Sequence, residues 1–244
     1  MKKSIQLFIC SAFFLTTLAN AQWSQKDRIK GNGHVTTEVR KTTDYEAIKV
    51  AGFFDVDLIS GNEGTITLEG EGNLLSYLKV EVVDNTLRIY TEKNRYISPS
   101  KGKTIKITVP FESINQVSLS GSGDIRTKNT IQSETFVANL SGSGDLTLDL
   151  KSNQVEVNLS GSGDIVITGN TENFSSKLAG SGDIDASELN AKNVDVAVAG
   201  SGDSKVNCTE SLKARVSGSG DIQYKGNPKE KDTKVNGSGE ISKG

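Results

Sequence analysis

Apolar and polar residues alternate along most of the chain beyond residue 35, most clearly in its second half. A representative stretch covers residues 155–167, and its apolar positions are Val155, Val157, Leu159, Ile165 and Ile167. A strict period of two is typical of a strand with one buried face. Because no stretch from Val35 to Gly244 shows a helical period with caps, the pattern predicts an all-β fold.

The motif Gly-Ser-Gly-Asp interrupts these strands at intervals of 18–21 residues. Its seven copies begin at Gly121, Gly142, Gly161, Gly180, Gly200, Gly218 and Gly237, and the last copy has Glu240 in place of Asp. A fixed period of this size indicates stacked repeats. The glycines fall on the apolar phase, so we expect them to face inward and the Ser and Asp residues outward. Glycine suits an inward bend or a close approach of two backbones.

A repeat of about 19 residues is too small to bury its own apolar face and must stack on its neighbours. A coil of parallel strands and a meander of hairpins would both satisfy this need. Every copy keeps the same strand–bend–strand order, which favours the coil. The hexapeptide pattern of left-handed coils is absent. The prediction is therefore a right-handed parallel β-helix, or solenoid, with a β-rich N-terminal cap.

The first 21 residues have the pattern of a secretory signal peptide. Lys2 and Lys3 precede an apolar stretch from Ile5 to Leu18, and Ala19-Asn20-Ala21 is a small-x-small cleavage site. We therefore expect export to the periplasm or cell surface of a Gram-negative bacterium, or secretion, and no transmembrane segment in the mature chain. The predicted organisation continues with a flexible arm (22–33), an N-terminal β region (34–116) and the repeat solenoid (117–244).

Two features of the predicted solenoid concern its ends. In the N-terminal β region, Asp84-Asn85 has the composition of a hairpin turn between strands at 78–82 and 86–90. This region also holds most of the aromatic residues, so we expect a thicker core that caps the stack. At the other end, Lys225 to Lys234 is rich in charge, as expected where a solenoid must stop.

Charge and cysteine content narrow the function. Without Lys2 and Lys3, the net charge falls from −2 to about −4, which argues against nucleic-acid binding. Cys208 is the one cysteine outside the predicted signal peptide, so no intrachain disulfide is expected. We expect Cys208 to be a small buried side chain and not a reactive thiol.

The acidic residue of each motif forms the sharpest candidate site. In a coil these residues would lie about 4.8 Å apart, where like charges repel by about 0.9 kcal/mol in water and about 3–4 kcal/mol at an effective dielectric near 20. Calcium bound by the carboxylates would relieve this repulsion, as would hydrogen bonds from backbone N–H groups. We favour the backbone bonds. The candidate calcium ladder comprises Asp124, Asp145, Asp164, Asp183, Asp203 and Asp221.

The exposed serines of the motif form a candidate ligand surface for a polysaccharide or another envelope partner. They are Ser122, Ser143, Ser162, Ser181, Ser201 and Ser219. Few aromatic residues lie near them to stack on sugars, so at this point we favour the alternative, a solvated face. Carboxylates one turn apart also match the spacing of a retaining glycosidase pair, but catalysis needs two unlike carboxylates and these look alike. His34, the single histidine, is expected on the surface.

These observations lead to one functional hypothesis and two alternatives. The hypothesis is an exported, non-enzymatic interaction or adhesion module without a cofactor. One alternative is a structural envelope protein stabilised by calcium, and the other is a polysaccharide-cleaving β-helix. The sequence leaves the oligomeric state open.

Several segments resemble the head GIN domain family, exported bacterial proteins that are typical of Bacteroidetes and carry the label autotransporter adhesin. The segments are Ala51-Gly52-Phe53-Phe54-Asp55-Val56, Asp84-Asn85-Thr86-Leu87-Arg88-Ile89, and Val109-Pro110 leading into the first motif copy. The resemblance covers residues 36–244. It implies a right-handed β-helix-like fold and an exported location, and it supplies no catalytic motif.

Overall fold

The computed structural model describes residues 28–244 and is nearly all β. The predicted signal peptide and the first part of the predicted arm lie outside the described residues. Within 28–244, the helical structure is one short helix, α1 (Gly72–Leu75). No helix in this part of the chain has the length and apolar character needed to span a bilayer. The predicted all-β class is confirmed.

Within residues 28–244, nine strands come before the strand that ends at Gly121, the first glycine of the first motif. They are β1 (Arg28–Lys30), β2 (Val35–Lys41), β3 (Ala47–Gly52), β4 (Asp55–Ser60), β5 (Thr65–Glu71), β6 (Leu78–Val83), β7 (Thr86–Thr91), β8 (Tyr96–Ser98) and β9 (Lys106–Phe111). The β6–β7 hairpin is confirmed, with antiparallel pairing from Leu78↔Thr91 to Val83↔Thr86. Asp84 and Asn85 have φ of 51° and 55°, the positive values that a tight hairpin turn needs.

The motif-bearing part consists of long strands that pair in parallel with their equivalents one turn later. They are β10 (Gln116–Gly121), β11 (Asp124–Thr127), β12 (Ile131–Gly142), β13 (Asp145–Gly161), β14 (Ile165–Gly180), β15 (Ile184–Gly200), β16 (Ser204–Gly218), β17 (Ile222–Lys225), β18 (Glu230–Gly237) and β19 (Ile241–Lys243). The motif stays in register, with Gly142↔Gly161 and Gly161↔Gly180 as pairs. The coil is confirmed, and the hairpin meander is excluded for this part.

One turn of the coil, called a rung below, has two strand segments and two corners. Strand β13 shows the pattern: every second residue is buried from Leu146 to Ser152 and again from Val155 to Leu159. The two successive exposed residues between them, Asn153 and Gln154, shift the phase and form the second corner. The Gly-Ser-Gly-Asp motif forms the other corner. The buried side chains of the two segments therefore make up a continuous core along the stack.

The order of the rungs in space differs from their order in the chain. Strands β3 and β4 pair in parallel with β10 and β11 on one side, and with β7 and β9 on the other. The β7–β9 rung is therefore first in the stack, although it follows β3–β4 in sequence. The antiparallel strands β2 and β5 cover this end, since β5 pairs with both β2 and β9.

A buried carboxylate fastens the N-terminal segment to this cap. Glu71 is 1% exposed and accepts hydrogen bonds from the backbone N–H of Gly33, the N–H of Ser100 (2.8 Å) and the Ser100 hydroxyl (2.6 Å). These bonds, that of the hydroxyl first, lower the pKa of Glu71 below its ordinary value of 4.5. Strand β1 pairs in parallel with β8, so residues from Arg28 onward are held in place.

The Glu71 contacts predict a pH-dependent attachment of residues 28–33. A depressed folded pKa stabilises the folded state above the unfolded pKa, and this contribution is lost as pH falls through the folded value. We expect the protection factors of the amides in residues 28–33, taken relative to the unstructured chain at the same pH, to fall below about pH 4.5 in the native chain, and to be low at all pH values in Glu71→Gln. Glu69→Gln, an exposed position on the same strand, is the control. Unchanged protection in Glu71→Gln would contradict this role.

Candidate functional site

Successive rungs touch through backbone atoms at the Gly-Ser-Gly-Asp corner. A Cβ added to Gly142 would lie 2.2 Å from the carbonyl oxygen of Gly121 in the preceding rung. A Cβ added to Gly144 would lie 2.0 Å from the carbonyl oxygen of Gly123. Gly144 is buried, as predicted, whereas Gly142 is half-buried with φ of 133°. The first glycine therefore provides a positive φ and a close backbone approach, and it does not simply face inward.

The aspartates form a hydrogen-bonded ladder along this corner. From Asp145 onward, Oδ1 of each aspartate accepts the backbone N–H of the acidic residue in the next rung. The pairs are Asp145–Asp164 (3.0 Å), Asp164–Asp183 (2.9 Å), Asp183–Asp203 (2.8 Å), Asp203–Asp221 (2.8 Å) and Asp221–Glu240 (2.7 Å). The first member, Asp124, instead contacts Arg126 at 2.7 Å. Bonds to N–H groups offset part of the repulsion between neighbouring carboxylates.

The ladder predicts different effects for two substitutions of Asp183. Asn keeps an oxygen that accepts the Asp203 N–H and removes one charge, so Asp183→Asn should leave the unfolding free energy nearly unchanged. Ala removes the acceptor, and Asp183→Ala should cost about 1 kcal/mol. Urea denaturation of both variants measures the difference. Equal losses in the two variants would show that the Oδ1 bond does not contribute.

The structure gives no metal cluster at these positions. Among residues 28–244, no group of three or more His, Cys, Asp or Glu side chains is placed to hold an ion. Calcium takes six to eight oxygen ligands, whereas at this corner each rung offers one carboxylate, and from Asp145 to Asp221 its Oδ1 is already engaged. We expect millimolar Ca²⁺ to leave the melting temperature unchanged. A rise that a chelator reverses would contradict this prediction and favour the calcium ladder.

The serines between the paired glycines are exposed on the same corner. Their side chains follow one another rung by rung beside the aspartates, and their backbone N–H groups donate to the first glycine of the preceding rung, as Ser143 does to Gly121 at 2.9 Å. We call this surface the GSGD edge. It comprises Ser122, Ser143, Ser162, Ser181, Ser201, Ser219 and the aspartates Asp124, Asp145, Asp164, Asp183, Asp203 and Asp221.

Small polar side chains fill the inside of the second corner. Ser152 Oγ lies 3.1 Å from the carbonyl oxygen of Glu134 and 3.0 Å from that of Gln154. Cys208 occupies the equivalent position three rungs later, with Sγ 3.0 Å from the Ser211 carbonyl oxygen. The thiol is buried, and desolvation raises its pKa. This supports a structural role for Cys208, since a nucleophilic thiol needs a lowered pKa.

A groove on the outer surface of the second corner was not predicted from the sequence. It has a volume of about 690 Å³, and residues equivalent from rung to rung line it: Gln132, Lys151, Asn170 and Asn190. The corner carries no repeated motif, and a break in the alternation is its single signal in the sequence.

The described residues do not form an acid–base pair along the ladder. From Asp145 to Asp221 every carboxylate has the same backbone partner, whereas glycoside hydrolysis uses two carboxylates in unlike environments. His34 is exposed, and its backbone N–H donates to Asn32. It lies in the N-terminal part, before β2, and not in the repeat region.

The coil register, the glycine contacts and the aspartate ladder define this chain as a parallel β-solenoid built on a repeated corner. The family described as "Putative auto-transporter adhesin, head GIN domain" matches residues 44–228, and the chain belongs to this family. The resemblance seen in the sequence is confirmed.

Solved structures share the fold over most of the chain. A "putative adhesin" from Bacteroides fragilis NCTC 9343 is 26% identical, with a TM-score of 0.79 over 88% of this chain and 99% of the other. A "putative lipid binding protein" from Parabacteroides distasonis ATCC 8503 is 28% identical, with a TM-score of 0.75 over 89% and 99%. A "putative adhesin" from the same organism is 25% identical, with a TM-score of 0.71 over 89% and 100%. No match to this chain is found among curated proteins.

Proposed function

We propose that this protein is an exported, non-enzymatic interaction module. It binds an extended polymer of the cell envelope along the GSGD edge, and a polysaccharide is the ligand class that we favour. The observation that carries the proposal is the repetition of one geometry over successive rungs, from Asp145 to Asp221. A rigid row of identical groups complements a ligand that is itself periodic.

The chemistry of the edge fits a ligand rich in hydroxyl groups. Each rung offers an exposed serine hydroxyl, which donates and accepts, and an aspartate Oδ2, which accepts. Rungs about 4.8 Å apart repeat these groups at a spacing similar to the length of one sugar unit. The row of carboxylates disfavours anionic polymers.

Two further observations support the exported location and the adhesive role. The charged start, apolar stretch and cleavage pattern of residues 1–21 are those of an exported protein. Two of the structures reported above carry the description adhesin. The uniform carboxylates support binding without catalysis.

Binding of the mature chain to a glycan array and to isolated envelopes tests the proposal. The edge variant carries Ser162→Arg, Ser181→Arg and Ser201→Arg. A control variant with the same charge change carries Ser60→Arg, Ser76→Arg and Ser113→Arg, at exposed serines outside the edge. We expect the edge variant to bind at least about tenfold more weakly, because long side chains cover three successive rungs. Equal binding by both variants, or hydrolysis of any glycan, would overturn the proposal.

A further inference from the structure

The groove outside the second corner runs across several rungs of the stack. Gln132, Lys151, Asn170 and Asn190 lie on one wall, one per rung, and the corner residues Glu134 and Lys192 are among those on the other. The three intervals between these four rungs correspond to roughly 14 Å. The groove is thus elongated along the solenoid axis and has room for several units of a linear polymer.

Two residues of this wall, Asn170 and Asn190, belong to a ladder of side-chain amides that continues to Asn207. Asn190 Nδ2 donates to Asn170 Oδ1 at 3.2 Å, and Asn207 Nδ2 donates to Asn190 Oδ1 at 3.0 Å. A primary amide has two N–H donors and two acceptor lone pairs, so the ladder uses half of the capacity of Asn190. Donors and acceptors therefore remain on successive rungs, held in fixed positions by the ladder.

The charges of the groove cancel. Its charged lining residues are two acids, Glu134 and Glu172, and two bases, Lys151 and Lys192. Glu172 and Lys192 pair at 2.6 Å, and Glu134 accepts a hydrogen bond from Asn153 at 2.8 Å. This differs from the GSGD edge, where every charged group that recurs from rung to rung is a carboxylate. A neutral, hydroxyl-bearing ligand suits the groove better than a polyion does.

We infer that this groove is a second binding site, which takes a linear, uncharged glycan lying parallel to the solenoid axis. The inference rests on the proposed polymer-binding function and adds to it a separate surface and a ligand class. The amide ladder supplies hydrogen bonds to sugar hydroxyls at each rung, and Gln132 and Lys151 extend the same row of donors by two rungs.

Titration of the mature chain with neutral glucans, mannans and xylans, and with their hexasaccharides, tests the inference. The groove variant is Gln132→Ala with Lys151→Ala, two exposed residues outside the amide ladder. The matched control is Gln223→Ala with Lys205→Ala, an exposed Gln and Lys that do not line the groove. We expect about tenfold weaker binding for the groove variant and unchanged binding for the control.

The outcomes separate this inference from the proposed function. Neutral-glycan binding that is lost in the groove variant and kept in the serine edge variant supports the groove. Binding lost in the edge variant alone overturns the groove and leaves the proposed function in place. Binding to isolated envelopes without binding to any neutral glycan also overturns the groove and leaves the proposed function in place. Absence of binding to both glycans and envelopes overturns the two together.

Discussion

Replacing Gly163 by alanine is expected to lower the unfolding free energy by about 3 kcal/mol or more, or to prevent folding. The new Cβ would lie 1.9 Å from the Gly144 carbonyl oxygen and 3.0 Å from its carbonyl carbon and its nitrogen. All three atoms belong to the backbone of the preceding rung, so no side-chain rotation can relieve the overlap. The corner must move apart, which weakens the hydrogen bonds on both sides of it.

Gly61→Ala is the control for this prediction. Gly61 lacks a positive φ, and the nearest atom to its added Cβ is Pro110 Cβ at 3.7 Å, an ordinary contact. We expect a change within about 0.5 kcal/mol at that position. Urea unfolding followed by circular dichroism compares the two variants. A Gly163→Ala variant as stable as Gly61→Ala would show that the rungs are farther apart than described here.

Replacing two lysines of the last rung by leucine is expected to make the protein assemble end to end. Lys231 and Lys243 are in register with Leu212 and Tyr224, so they occupy columns that are apolar in the preceding rung. Lys231 Nζ lies 5.9 Å from the centre of the Tyr224 ring. In the described part of the chain, β18 and β19 each pair on one side, and inward-facing charges at such an edge oppose further strand pairing.

Sedimentation velocity over a range of concentrations measures this assembly. The Lys231→Leu, Lys243→Leu variant should form species larger than the native chain, and their fraction should rise with concentration. Lys177→Leu with Lys205→Leu adds the same apolar surface at exposed positions on the sides of the stack and should behave like the native chain. Larger species in both variants would mean that added apolarity alone, and not the open end, drives association.

The repeat region was largely predictable because its signals are local and periodic. The alternation through Val155 to Ile167 specifies strands, and a constant motif in constant phase specifies stacking in register. That aspartate bonds to backbone N–H groups also follows from a general tendency of this residue at turns, but the bonds observed run to the next rung and not within the turn. The outward position of the serines and aspartates could therefore be described before any coordinates, whereas the conformation of the first glycine and the rung-to-rung partner of each aspartate could not.

The first copies of the rung could not be recognised in the same way. Gly52 and Asp55 are in register with Gly121 and Asp124, so Gly52-Phe53-Phe54-Asp55 is a corner without the Ser-Gly pair. The preceding rung joins β7 to β9 through residues 92–105 in place of such a corner. Phe54 is fully buried and close to Gly52. In the sequence, strands β5 to β9 lie between this corner and the first motif and interrupt the repeat period. The spacing of residues therefore does not reveal these first rungs.

We propose above all that an extended polymer binds along the axis of a rigid stack. Side-chain footprinting of the mature chain, free and bound to isolated envelopes, tests it most directly. We predict protection of equivalent residues in at least three successive rungs, as at Ser162, Ser181 and Ser201, or at Lys151, Asn170 and Asn190. Protection confined to a single rung or to the N-terminal cap would contradict it.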